Sequence, residues 1–90
     1  MKPLRWTAHA LQAIADREID LREAEMTIAS PELTAVDPPR RAVLMRRYFD
    51  RALYRQMLLR VVVEEAPRER VVVTVYKTSQ INKYLRETLP

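Results

Sequence analysis

The chain has ninety residues with one His, no Cys and no Gly, and it carries a net charge of +4. The missing Cys excludes disulfides, thiolate zinc sites and a thiol nucleophile, and leaves carboxylates as the main candidate metal ligands. The missing Gly removes phosphate-cradling loops and dinucleotide fingerprints, which need φ > 0 and close backbone approach, so ATPase, kinase and Rossmann dehydrogenase readings are set aside.

A chain of this length buries only about 60 to 65% of its unfolded surface, enough for a single domain over residues 1–90 with a small core. With 48% hydrophobic and 31% charged residues it has a globular balance. No signal-like apolar stretch opens it and no run nears the ~20 apolar residues that cross a bilayer, so the expected setting is cytoplasmic, with no membrane partner. No cofactor is expected.

The charge is unevenly spread. Residues 16–37 hold seven acids against Arg17 and Arg22, a balance of −5. Residues 38–63 hold Arg40, Arg41, Arg46, Arg47, Arg51, Arg55 and Arg60 against Asp50, a balance of +6. A polyanion or an acidic protein would complement the second segment, and a solvated basic surface is the plainer alternative.

In chain order, Thr7 can cap a first helix over about 7–16, with Trp6 and Leu11 at the positions of a hydrophobic staple. Ala10, Leu11 and Ile14 share one face, and His9, Gln12 and Asp16 the other, so His9 is expected at the surface. Asp20 caps a second helix over about 20–29, with Glu23 completing a capping-box pair. Ser30-Pro31 ends it, and 32–39, with two further prolines, reads as an extended connection. Strands are expected over about 42–48, 57–65 and 70–77, the last two joined through Ala66-Pro67-Arg68-Glu69 as a hairpin. A helix across Phe49 to Met57 is an alternative in this Leu-, Met- and Arg-rich stretch. A short helical segment near Ser79 closes the chain, within 78–89. The fold class is α+β: two N-terminal helices packed on one face of a three-stranded antiparallel sheet.

Strand alternation assigns Met57, Leu59, Val61, Val71, Val73 and Val75 to the helix-covered face. The other face then presents Arg60, Arg70, Thr74 and Tyr76 over Val62 and Val72. Arginines, a hydroxyl and an aromatic ring on an open sheet can hold phosphates and stack a base, although Thr and Tyr are also ordinary strand residues. His9 is the only side chain that ordinarily titrates near neutrality, and a neutral imidazole at a helix start can act as a general base. A lone exposed His without a function is the alternative. Glu64 and Glu65 are strand neighbours pointing to opposite faces, so they form no catalytic carboxylate pair.

Trp6-Thr7-Ala8-His9-Ala10, Arg17-Glu18-Ile19 and the strand Val71-Val72-Val73-Thr74-Val75-Tyr76 together resemble the domain of unknown function 4258 family over roughly Leu4 to Lys77. Where that family usually has Gly after the helix-1 Arg, this chain has Glu18. The family is similar in layout to the RelE and BrnT toxins, metal-independent ribonucleases. The resemblance implies an RNA-directed, toxin-like protein and singles out His9, Arg17, Arg60, Thr74 and Tyr76. On this reading His9 or Tyr76 handles protons, Arg60 and Arg70 hold phosphate and Thr74 orients it, with Arg40, Arg41, Arg46 and Arg47 adding RNA contacts. RNA or the ribosome and an acidic antitoxin-like protein are the implied partners. The rivals are a binding module without chemistry, taking nucleic acid or an acidic protein on its basic sheet, and a structural protein that pairs through an exposed strand edge.

Overall fold

The computed structural model describes residues 2–88, in the order β1 (Leu4–Trp6), α1 (Ala8–Asp16), α2 (Leu21–Ala29), β2 (Leu33–Asp37), β3 (Arg41–Asp50), β4 (Arg55–Glu65), β5 (Arg70–Thr78) and α3 (Ile81–Thr88). The strands form one five-stranded sheet in the order β1-β5-β4-β3-β2. β1 runs parallel to β5, and the other neighbours are antiparallel. Among the described residues no helix is long and apolar enough to cross a membrane.

This corrects the expected three-stranded antiparallel sheet, which lacks both edge strands. β1 has three residues, too few for alternation to show, and it exists through pairing of Leu4, Arg5 and Trp6 with Arg70, Val71 and Val72. β2 lies inside the expected 32–39 connection, where Pro31, Pro38 and Pro39 flank the β2–β3 ladder rather than interrupt it. A turn over 51–54 joins β3 to β4 where a helix across Phe49 to Met57 was the alternative.

The helices form where local chemistry caps them. Thr7 Oγ1 accepts the Ala10 N–H at 3.0 Å and donates to the Val72 carbonyl at 3.1 Å, so the cap also fastens α1 to β5. At the other end Glu18 N–H donates to Ala15 and Ile19 N–H to Ile14, a Schellman closure with Glu18 at φ 53° in the left-handed region. Asp20 caps α2 through the Arg22 N–H at 2.9 Å. The Glu23 carboxylate, expected to turn back towards that cap, instead takes Arg46 of β3 at 2.9 Å.

The core lies between α1–α2 and the sheet, where Ala10, Ile19, Ala24 and Ile28 meet Leu44, Tyr48, Met57, Leu59, Val61 and Val63. Ala13 is buried too, while Leu11 is exposed. On β5 the expected row of Val71, Val73 and Val75 is broken. Val63 pairs with Val72 but Val62 pairs with Thr74, so Val73 is an extra residue and the parity of the strand changes there. Val72 and Val75 therefore enter the core together. α3 sits over the opposite face, which the sequence reading leaves open; the Leu89 end of that expected segment lies outside the described residues.

Candidate functional site

Arg60 is at the centre of the α3-side face. It pairs in register with Tyr76 on β5 and Met45 on β3, alternating with the core residues Leu59 and Val61. Its guanidinium lies 3.8 Å from the centroid of Tyr84 on α3 and 5.2 Å from that of Tyr76. Only 9% of the residue is exposed, Nε is buried without a hydrogen bond, and no carboxylate among the described residues pairs with it. Stacking on an aromatic ring contributes about 0.5 to 2 kcal/mol, less than the several kcal/mol that desolvating a cation costs. Beside this stack a groove of about 490 Å³ runs between the sheet and α3, lined by Arg47, Gln56, Ser79, Gln80, Asn82 and Lys83 among others.

Thr74 lies two residues from Tyr76 on β5, and Arg17 reaches it at 3.4 Å while donating to the Val75 carbonyl at 2.7 Å. Arg17 thus covers the edge of β5 beyond Val72, where β1 stops. The structure brings Arg60 to Tyr76 and Arg17 to Thr74. It does not bring His9 to either pair: His9 is exposed on α1, across the sheet from Arg60.

Most of the other arginines singled out by the sequence meet carboxylates. Arg46 pairs with Glu23 at 2.9 Å, Arg47 with Glu32 at 2.8 Å, Arg41 with Glu64 at 3.5 Å, and Arg70 with Glu65. The Arg47 side chain and backbone N–H hold the Glu32 carboxyl below its ordinary value. Arg40 makes no ion pair among the described residues, and its carbonyl accepts the Glu65 N–H at 2.8 Å. The acidic and basic segments of the sequence are thus partly folded onto one another.

A second polar cluster, not singled out from the sequence, lies at the β3–β4 turn. Asp50 is buried, and its Oδ2 accepts from Tyr48 Oη at 2.9 Å and Lys77 Nζ at 2.7 Å. Its Oδ1 accepts the Ala52 and Leu53 N–H groups at 2.9 and 3.0 Å. Burial pushes this carboxyl up, but the hydrogen bonds from Lys77, Leu53 N–H and Tyr48 outweigh it and hold the pKa at about 2. Burial and Asp50 together push the Tyr48 phenol up. Lys77 also donates to the Glu18 carbonyl at 3.0 Å, tying β5 to the α1–α2 turn. The cluster meets a cleft of about 860 Å³ with Glu18, Asp20, Glu23, Arg22 and Arg51 in its walls. The only sequence signal for it was spacing, since Tyr48 and Asp50 fall on one side of a strand.

Among the described residues no three His, Asp or Glu side chains gather as metal ligands would. The fold and the site define a small α+β domain with an arginine enclosed by tyrosines on one face of a mixed sheet. The chain belongs to the family described as Domain of unknown function (DUF4258), whose model matches residues 6–77. That span holds His9, Arg17, Arg60, Thr74 and Tyr76 and stops before α3. No curated protein and no solved structure matches the chain.

Proposed function

We propose that this protein is an RNA-directed, toxin-like module that takes an RNA phosphate at Arg60. The observation that carries the reading is the Arg60 guanidinium, enclosed between Tyr76 and Tyr84 with no carboxylate among the described residues to neutralise it. A buried cation of this kind costs stability in the folded chain, and an incoming phosphate relieves that cost with charge-assisted hydrogen bonds while the Tyr76 ring receives a base. Tyr84 lies where the phosphate would approach, so α3 gives way as RNA enters from the groove beside it.

The reaction assigned to the site is metal-independent cleavage. The 2′-hydroxyl oxygen bonds to the adjacent phosphorus as the bond from phosphorus to the 5′-oxygen breaks. A base takes the 2′ proton, an acid gives a proton to the leaving oxygen, and a 2′,3′-cyclic phosphate and a 5′-hydroxyl remain. Arg60 stabilises the charge that develops on the phosphate, and Tyr76, stacked on it, handles a proton. Purified protein incubated with labelled RNA in excess EDTA should give cyclic-phosphate ends, and Tyr76→Phe should slow this by ~10²-fold or more. Full activity in the Tyr76→Phe protein would remove the proton-transfer role.

The position of His9, across the sheet from Arg60, favours a second reading in which the same face binds RNA or an acidic antitoxin-like protein without chemistry. RNA that is bound but recovered intact after incubation decides for it.

A further inference from the structure

We propose that the β3–β4 turn is a stacking platform for single-stranded RNA, in which Tyr54 and Phe49 receive bases and Arg51 and Arg55 hold the flanking phosphates. The inference rests on the RNA-directed reading above and gives it a contact at the tip of the sheet, apart from the Arg60 stack. Tyr54 has φ 53° and is 82% exposed. The left-handed region favours Gly or Asn and disfavours bulky side chains, so neither backbone preference nor burial accounts for a ring at this position. Phe49, 53% exposed, meets it edge-on with centroids 5.2 Å apart, and a face of each ring is left for other contacts.

The exposed charges that adjoin the rings within the turn are positive. Arg51 and Arg55 are exposed and make no ion pair among the described residues. Asp50, the acid beside them in sequence, is turned inward and neutralised by Lys77 at 2.7 Å. Its two bonds to the Ala52 and Leu53 N–H groups fix the turn from below, so the rings stand on a rigid support. Phe49 pairs in register with Gln56, which lines the groove with Arg47 and Lys83, while Phe49 and Arg51 also border the cleft that holds Glu18, Asp20 and Glu23, a wall that repels phosphate. A strand stacked on the tip would therefore run along the Gln56 side towards Arg60. Exposed rings also suit protein contacts, but unpaired arginines flanking them complement phosphate, and a sequence-tolerant stack with basic flanks is how single strands are held.

The test uses the full chain and a fluorescein-labelled 12-nucleotide single-stranded RNA of mixed sequence, with the same sequence as a duplex, read by anisotropy. Tyr54→Gly removes the ring and suits the backbone, so the fold should persist by far-UV CD, and Tyr54→Asn serves as a second variant tolerant of this conformation. The expected result is single-strand affinity weakened about 5-fold or more by either variant, held within about 2-fold by Tyr54→Phe, and little change for the duplex, whose bases are already stacked. Equal single-strand affinity in Tyr54→Gly and wild type would overturn the inference and leave the RNA-directed reading standing. Equal losses in Tyr54→Phe and Tyr54→Gly would overturn stacking in favour of the hydroxyl. No RNA binding by the wild type would overturn this inference together with the reading beneath it.

Discussion

At the residue scale, Asp50 accepts four hydrogen bonds from Tyr48, Lys77 and the turn N–H groups, and so joins β3, β5 and the β3–β4 turn at one buried point. Asp50→Ala would leave the largely buried Lys77 side chain without its carboxylate and should cost about 3 kcal/mol in urea unfolding at neutral pH. The pH dependence has a definite sign. The carboxyl ordinarily titrates at 3.8 and is held at about 2 in the folded chain, so its contribution is complete above about pH 4 and is lost as pH falls through 2. That contribution is about 2 kcal/mol, and unfolding curves of Asp50→Asn should lack this part of the acid destabilisation. Glu18 is the converse case, since it holds φ 53° in a closure that Gly suits better. Glu18→Gly should therefore stabilise the chain by about 1 kcal/mol, seen as a rise of several degrees in Tm. An unchanged or lowered Tm would mean that the Glu18 side chain compensates for its backbone. The buried role of Asp50 was not legible in the sequence, because nothing local announces a partner twenty-seven residues away.

At the scale of elements, both helix caps and the β4–β5 hairpin were legible because their signals are local: Thr7 and Asp20 cap as their positions imply, and Met57, Leu59, Val61 and Val63 form the core row of β4. The edge strands were not, since three residues of β1 and a β2 bracketed by prolines carry no pattern that distinguishes strand from connection. Alternation failed on β5 at one residue. A run of Val71-Val72-Val73 looks the same with or without a bulge, and only the pairing shows that Val72 rather than Val73 enters the core. The C-terminal segment reads as a short helix near Ser79, but its placement on the Arg60 face depends on a tyrosine–arginine stack that no periodicity reveals. If α3 covers the phosphate position, Tyr84→Ala should tighten RNA binding about 2- to 30-fold, the equivalent of one lost cation–π contact. Weaker binding in that variant would instead make Tyr84 part of the RNA contact.

At the scale of the whole molecule, the excess of positive charge is smaller in effect than the sequence suggests, because Arg41, Arg46, Arg47 and Arg70 are matched by acids. RNA affinity should then fall with salt at a slope of roughly −2 to −3 in logarithmic terms, as for three or four phosphate contacts to a single strand, well short of what seven arginines would give. The most direct test of the account is RNA affinity in Arg60→Met, measured beside its thermal stability. Arg60 has no ion-pair partner among the described residues to strand, so an apolar side chain of similar length between Tyr76 and Tyr84 should leave Tm unchanged or raise it. The account predicts that this intact protein loses single-stranded RNA binding by about tenfold or more, as expected for loss of a buried charge-assisted contact. An Arg60→Met protein that is equally stable and binds RNA as tightly as the wild type would contradict it.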